Sequence, residues 1–503
     1  QFHARAYPAL LPPKGFVGIS SIGMDPTGQK YLLGKVIGTH MSYQFQYEMR
    51  GWEEGMDKLL ITLPITGCEF KKTYFDPQKG FNCSEHVPAS DLVINYWAKS
   101  LEDASRKTHV IPMTRNDIVS MQRAGLFREV ELGNPIKNQT LAEIIKDETT
   151  GTKRSGTVDE STPYTLLEWH GYIDLDEDGY AEPYVVTIEE SSSRVLRIVA
   201  RYYAEGIIQN EQGVVIRITP VEYFTKFDFI PNPSGGFYGI GFGRLLGSLN
   251  EAVDTMVNQL VDAGSLSNLQ SGYISRNLRI RNGKHTFKPG EWKEVNATGQ
   301  DLRQSILPLP VREPSMVLFQ LLSMLIGAGE RISSTTDMMV GENPGQNQKA
   351  TTTMAVLDQG MKIFTAIYKR IRLALGKEFE KVFALNHYFL DEEKTKILFD
   401  GNAVIKKEFY DLNNMVVYPT ADPANTSSAE KLGQAQALLQ VMTLGGFNDF
   451  EIKRRYLEAI GIDDPERVLL DPQQSPPPPD PKLLKVQGDL QEDDFRRKLD
   501  TLE

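Results

Sequence analysis

Residues Gly236 to Gly264 read GFYGIGFGRLLGSLNEAVDTMVNQLVDAG, and the fold turns on this stretch. From Arg244 to Ala263 the pattern is strongly helical. Leu245, Leu249, Ala252, Val253, Met256, Val257 and Leu260 form one apolar stripe. About twenty residues at 1.5 Å each give a rod of roughly 30 Å, with Gly264 as its stop. Before the rod stand Gly239, Gly241 and Gly243. Such glycines can cradle a phosphate at a helix start. Here no P-loop Lys-Ser/Thr follows, no clean strand precedes, and no acidic residue lies at the expected distance. The better reading is a hinge at which backbone segments approach closely.

On the far side of the rod, residues 265–313 form a small basic segment, strand-like at Tyr273 to Ile280 and at Trp292 to Val295. A second helix runs from Pro314 to Ser334, with Pro314 suited to its first turn. Poor helix formers follow at Val340 to Lys349 (VGENPGQNQK), then a long helix from Thr351 to Leu390. Two helices of matched length around a compact module make a helical hairpin with a small domain at its tip. A two-helix stalk cannot bury both of its faces alone. Neighbouring copies, joined head to tail in a closed ring, would cover them.

Upstream, residues 1–28 read as an extended arm. Tyr31 to Leu63 reads as helix, with Phe45, Met49, Trp52, Met56 and Leu60 on one face. Gly67 to Pro77 reads as a strand. Val93 to Ser105 and Thr114 to Ala124 read as short helices, the second capped by Thr114 with Asp117 three residues on. Residues 134–162 read as a partly helical, exposed insertion. Four strands follow, at Tyr164 to Ile173, Tyr184 to Glu189, Val195 to Tyr203 and Val214 to Pro220. Pro231, Pro233, Gly235 and Gly236 break the pattern. Downstream come strands at Lys396 to Phe399 and Asn414 to Pro419, and helices at Ser427 to Met442 and Phe450 to Ile460. The prolines Pro476 to Pro479 and the charged tail read as a spacer. The class is α+β.

Bulk properties narrow the function. A chain of 503 residues exceeds one comfortable core, so several subdomains are expected. Its formal net charge is −11, and a tight duplex binder is usually basic. Nucleic-acid contact should therefore be local or transient, which suits a conduit. Two cysteines, Cys68 and Cys83, exclude a disulfide scaffold and suggest a reducing compartment, the bacterial cytoplasm. The most apolar run, Met316 to Ile326, is short of the ~20 residues a membrane span needs. No signal peptide is visible. The chain starts at Gln1, and the expectation is that it begins inside a longer gene product.

Further stretches join the opening one in resembling a known family. They are Ile65-Thr66-Gly67-Cys68-Glu69-Phe70-Lys71-Lys72, Val87 to Tyr96 (VPASDLVINY), Met113 to Glu129 (MTRNDIVSMQRAGLFRE) and Asp174 to Tyr184 (DLDEDGYAEPY). Over residues 30–460 the chain resembles the portal proteins of tailed bacteriophages, in the family typical of many short-tailed phages. The resemblance implies a multi-subdomain subunit of a twelve-fold ring at one capsid vertex. After an arm at 1–28 it places a wing at 29–242, stem helices at 243–264 and 314–335, an α/β clip at 265–313 and a tunnel loop at 336–350. A long tunnel helix returning to the wing occupies 351–424, a helical crown 425–470 and a tail 471–503. It implies double-stranded DNA passing through, terminase and then a head-to-tail adaptor on the clip, contacts with major capsid protein and scaffold, and no membrane partner. The ring would be assembled in the host cytoplasm and carried in the virion.

Candidate site residues follow from these readings. The clip segment holds eight basic residues, including Arg276, Arg279, Arg281, Lys284, Lys288 and Lys293, against four acidic ones. This net excess of four positive charges suits DNA at the exit or an acidic partner; salt bridges between copies would account for it equally well. In the tunnel loop, Gln346, Asn347, Gln348 and Lys349 can touch a phosphate backbone without gripping it. Asp174, Asp176, Asp178 and Gly179 match the first half of a calcium loop, with Glu182 at position nine. Position twelve, which should be a bidentate Glu, is Val185. An acidic hairpin turn is the favoured reading, with occasional cation binding as the alternative; no resident cofactor is expected.

The seven histidines are scattered, and none has HExxH spacing. No G-x-S-x-G or Walker A run occurs. The leading expectation is a structural conduit without catalysis. One competitor is a metal-dependent hydrolase using the Asp174 to Glu182 loop, whose cation-dependent activity would vanish on Asp176→Asn and Asp178→Asn. Another is a monomeric helical scaffold, told apart by oligomeric state.

Overall fold

Phe2, Ala6 and Leu10 lie four residues apart and are all buried, so the chain opens with a helix, α1 (Phe2–Leu10), and then a strand, β1 (Val17–Ser21). This replaces the extended arm expected there. A computed structural model describes residues 2–12, 15–23, 25, 28–133, 135, 162–268, 272–274, 306–308, 316–333, 350–392, 405–421, 435–440, 449–460, 462 and 468–469. They belong to two units, Gln1–Ala421 and Asp422–Glu503.

The single rod expected over residues 31–63 is two helices, α2 (Gln29–Tyr43) and α3 (Trp52–Thr66). A π turn at Gln44–Glu48 and Gly51, at φ +90°, separate them. Glycine adopts that left-handed backbone without steric cost. Phe45, Met49, Trp52, Met56 and Leu60 are nevertheless all buried in one cluster.

Strands β2 (Cys68–Asp76) and β3 (Phe81–Val87) form a hairpin, then β4 (Leu92–Ile94) and β5 (Lys107–Met113) follow. The expected helix at 93–105 is absent. Ala98 N–H to Asn95 O and Ala104 N–H to Leu101 O close isolated turns instead. Helix α4 (Arg115–Arg123) is capped as expected: Thr114 Oγ1 accepts the Asp117 N–H. Strands β6 (Tyr164–Ile173), β7 (Glu182–Glu189) and β8 (Arg194–Ala200) complete a five-stranded antiparallel sheet in the order β4-β5-β6-β7-β8. A two-stranded ribbon, β9 (Ile207–Gln209) and β10 (Val215–Ile218), follows it. Strand β11 (Phe224–Asp228) then pairs with β2 to give the order β11-β2-β3.

Helix α5 (Phe242–Asn268), strands β12 (Gly272–Ile274) and β13 (Ile306–Pro308), and helix α6 (Met316–Ser333) come next. Strands β12 and β13 pair antiparallel. Helix α5 runs on through Gly264, contrary to expectation. One interior glycine weakens a helix by only about 1 kcal/mol. Helix α7 (Ala350–Phe389) is 40 residues long, and β14 (Met415–Pro419) pairs antiparallel with β1. In the second unit, residues 435–440 are helical and α8 spans Asp449–Ile460.

The C-terminal part of α7 is the spine of the core. Ile367, Tyr368, Ile371, Leu375, Phe379, Val382 and Phe383 recur at helical spacing and are all buried in one cluster with residues of α1, α2 and α3. Arg372 donates to the carbonyls of Ala421 and Pro419, at 2.6 and 2.9 Å, holding β14. Lys381 Nζ donates to Phe224 O and Thr225 Oγ1, at 2.7 and 2.6 Å, holding β11.

Candidate functional site

The α5–α6 hairpin rises from a seat made of glycines. Gly67, at φ +93°, ends α3, and the backbone of Gly239, Ile240 and Gly241 lies against it. A Cβ on Gly67 would stand 2.4 Å from Gly241 N, and one on Gly241 would stand 2.4 Å from Ile65 O. No side chain fits there, so the alternating glycines serve close backbone approach. Phe242 then anchors the first turn of α5 edge-on to Phe229, ring centroids 5.0 Å apart.

Helix α6 packs along α5. The half-buried positions of α5 are Phe242, Leu246, Leu249, Ala252, Val253, Met256, Leu260, Ala263 and Gly264. The stripe read from the sequence is mostly right, but Leu245 and Val257 face solvent and Leu246 faces in. Opposite them, Leu318, Leu322, Leu325, Ala328 and Gly329 of α6 are half-buried. Gly329 permits the contact, since a Cβ there would sit 3.2 Å from Leu249 Cδ2.

The outer flanks of this hairpin are apolar and uncovered. Leu245, Val257 and Val261 are exposed on α5. Met316, Val317, Phe319, Leu321, Met324, Ile326 and Ile332 are exposed on α6. Ten large apolar side chains exposed on one hairpin mark an interaction site. Among the described residues no helix is long and apolar enough to cross a membrane. Exposed charges on α5 are mainly acidic: Glu251, Asp254 and Asp262, with Arg244 near its start.

The other candidates divide. The tunnel-loop residues Gln346, Asn347, Gln348 and Lys349 lie outside the described residues, as do the clip residues Arg276, Arg279, Arg281, Lys284, Lys288 and Lys293. The aspartates are described. Between β6 and β7, carboxylate oxygens of Asp174, Asp176 and Asp178 lie within 4.8 Å of one another. Asp174 Oδ2 accepts the Gly179 N–H at 3.0 Å, and Asp178 Oδ1 accepts the Tyr180 N–H at 2.7 Å. Glu177 at φ +58° and Gly179 at φ +91° make the tight reversal. Glu182 stands apart as the first residue of β7, paired with Ile173, and Val185 lies inside that strand. Three aspartates could offer oxygens to a hard cation. Among the described residues no histidine, cysteine or further carboxylate completes the group.

An open groove of about 520 Å³ lies between α2 and the β1–β14 ribbon. Tyr31, Tyr43, Tyr47, Tyr418 and Lys35 line it, with no carboxylate, histidine or cysteine.

Sequence reasoning missed the buried polar cluster that ties α7 to the β-hairpin. Glu378 Oε1 accepts from Trp52 Nε1 at 2.7 Å, Ser84 Oγ at 2.6 Å and Lys71 Nζ at 3.1 Å. Burial lowers the Lys71 pKa, and Glu378 opposes that shift. One helical stretch further along α7, Asn386 Oδ1 accepts from Gln44 Nε2 and Asn82 Nδ2 at 3.0 and 2.8 Å. The only local signal was polar residues inside apolar runs, such as Lys71 beside Phe70. Lys71 and Glu378 at its centre are shut off from solvent, and the cluster joins three segments of the core.

The model of one protein family, described as the phage SU10 portal protein, matches residues 48–495 of the chain. No curated protein matches it.

Proposed function

The chain belongs to the phage SU10 portal protein family, and from that premise we propose that it is the subunit of a closed ring, twelve-fold by expectation, carrying double-stranded DNA through one capsid vertex during packaging and ejection. The exposed apolar flanks of the α5–α6 hairpin support this reading most. A lone subunit leaves them in water. In a cyclic assembly each hairpin lies between two others, so both flanks are covered.

In this reading the wing spans 29–242, α5 covers the stem segment 243–264 and runs on to Asn268, and α6 lies in the stem segment 314–335. Residues 265–313 form the clip, on which terminase and then the adaptor dock. Residues 336–350 form the tunnel loop, 351–424 the tunnel helix with its return, and 425–470 the crown inside the head. A separate ATPase on the clip supplies the energy. The net charge of −11 suits a conduit that does not hold its cargo. Lys349, repeated around the ring, gives the tunnel loop a circle of positive charge. Lys349→Glu should alter packaging or genome retention and leave ring assembly intact; unchanged DNA handling would remove that residue from the mechanism. The Asp174 turn is assigned as a hairpin turn, because Val185 stands where a calcium loop needs its bidentate Glu.

The deciding experiment is particle mass and rotational symmetry of the purified chain, by native mass spectrometry with electron-microscope class averages. Rings of about a dozen copies around an open channel are expected. A monomer that stays monomeric with capsid and scaffold proteins present would overturn the proposal.

A further inference from the structure

On the ring reading just given, we infer that Tyr96 and Trp97 of one copy pack onto the β9–β10 ribbon of the next copy, forming a second contact between subunits away from the hairpin.

The pair is a rigid apolar knob. Tyr96 is 89% exposed and Trp97 85%, the two rings meeting edge to face at 5.1 Å. The turn beneath is anchored: Ala98, Leu101 and Ala104 are buried, the Asn95 N–H donates to Arg106 O, and Glu102 pairs with Lys377 at 3.5 Å. The rings are therefore held out into solvent by a fixed loop. Exposed tyrosine and tryptophan on a fixed support are the residues that most often dominate an interface.

The ribbon is a second uncovered apolar surface. Ile208 is 50% exposed, and Val214 and Ile216 are each 59% exposed. The two surfaces flank one sheet. The registers run Ile94↔Lys107, Lys107↔His170, His170↔Val185 and Val185↔Val199. The chain therefore leaves β4 for the knob, and leaves β8 for the ribbon, at the same end of the sheet. Four strand spacings, roughly 19 Å, separate the departures. Helix α7 gives the same spread, since the knob loop reaches Lys377 while Glu205 at the ribbon's base accepts from Tyr388 OH. Eleven residues of helix span roughly 16 Å.

This arrangement suits one occupant, a second copy. A two-fold dimer places a patch against itself, whereas a closed ring of more than two copies needs two different patches that fit each other. Knob and ribbon are such a pair. Both patches carry charges of both signs that can pair across the contact: Lys99, Asp103 and Arg106 are exposed beside the knob, Glu211 is exposed at the turn joining β9 to β10, and Arg217 is exposed on β10.

The test uses that charged rim, which leaves the apolar contact in place. Chains carrying Lys99→Cys and chains carrying Glu211→Cys are assembled together and treated with a short bis-maleimide. The native Cys68 and Cys83 are buried and serve as background. Covalent dimers are expected from the mixture, and a ladder up to the full ring from the double variant. Trp97→Ala and Ile216→Ser should each raise the concentration for half-assembly about tenfold without changing the melting of the isolated subunit. Rings without cross-links, or with unaltered assembly in both variants, overturn this contact and leave the ring standing. Failure of the wild-type chain to form rings overturns the ring reading, and this contact with it.

Discussion

Lys71 and Glu378 lie 307 positions apart in the chain, yet Lys71 Nζ and Glu378 Oε1 meet at 3.1 Å with neither side chain exposed to solvent. The Trp52 ring covers the ammonium from 4.4 Å and its N–H shares the same carboxylate oxygen. Helix α7, helix α3 and the β2–β3 hairpin are thus joined at one point.

That junction predicts non-additive energetics. Lys71→Met leaves Glu378 charged and uncompensated, and should destabilise the subunit by about 3–5 kcal/mol. Lys71→Met combined with Glu378→Gln should recover most of the loss, because the buried charge is gone. Chemical denaturation of the two single variants and the double variant measures the coupling. Equal losses in Lys71→Met and the double variant would show that packing, and not charge, holds the junction.

The glycine seat predicts a steric failure. Gly67→Ala combines a left-handed backbone with a Cβ placed 2.4 Å from Gly241 N. The expected cost is roughly 3 kcal/mol or more. Gly247→Ala, where a Cβ meets nothing within 4 Å, is the control and should be neutral or slightly stabilising. Thermal melting of the two variants side by side decides the matter.

Acid should weaken the subunit in a defined window. Burial pushes the pKa values of His40 and His109 down to about 4. The unfolded chain binds these protons below about pH 6.5 and the folded chain does not. Stability should therefore fall from pH 6.5 to 4, by up to about 1.4 kcal/mol per pH unit for each histidine, and stop falling on their account below 4. Glu168 adds to the loss at lower pH. Burial pushes its pKa up, but Lys72 at 2.7 Å and His170 at 2.8 Å outweigh it and hold the carboxylate well below its usual range. That stabilisation is lost as pH falls below about 4.5. Denaturation midpoints across pH 4–7 for the parent and for His40→Gln should differ in slope.

The hairpin flank predicts an assembly defect with no folding defect. Met324 and Phe319 are exposed in the subunit. Met324→Glu or Phe319→Glu should leave subunit melting within about 0.5 kcal/mol of the parent, as surface substitutions do. The same changes should abolish rings, because a carboxylate would be buried unpaired between copies. Native mass spectrometry reads the loss.

Some local signals in the sequence were reliable, others such as the Gly264 stop and the helix expected at 93–105 were not, and distant ones were silent. The α5 stripe through Leu249, Met256 and Leu260 and the Thr114 cap depend on neighbours a few residues away, whereas the alternating glycines Gly239 and Gly241 signalled a close approach without naming its partner, Gly67, more than 170 positions earlier. The buried face from Phe45 to Leu60 was equally legible, but the break at Gly51 was not, since a glycine inside a helical pattern can be tolerated. Pro8 hid α1: it lies past the first turn, the part of a helix where proline is tolerated, and the buried face of Phe2, Ala6 and Leu10 holds the helix all the same. Strand β3 escaped because its inward residues include Asn82 and Ser84, whose partners Asn386 and Glu378 lie about 300 positions away. Strand β5 escaped because it begins with a buried lysine, Lys107, paired with Glu222. At the candidate sites, spacing alone brought Asp174, Asp176 and Asp178 together, and it also withheld the twelfth-position ligand. The outward turn of Leu245 and Val257 depends on where α6 lies, which no helical period can report.

The pairing of β1 with β14 sets a timetable for synthesis. Thr420 bonds to the carbonyl of Phe16, 404 positions earlier. At about 5–20 residues per second, the ribosome needs roughly 20–80 s between making one strand and making its partner. Throughout that interval the first strand's edge is open to any other chain nearby. Nascent subunits crowded on one message would be exposed to mispairing, and a truncated product ending before Met415 would never close that edge.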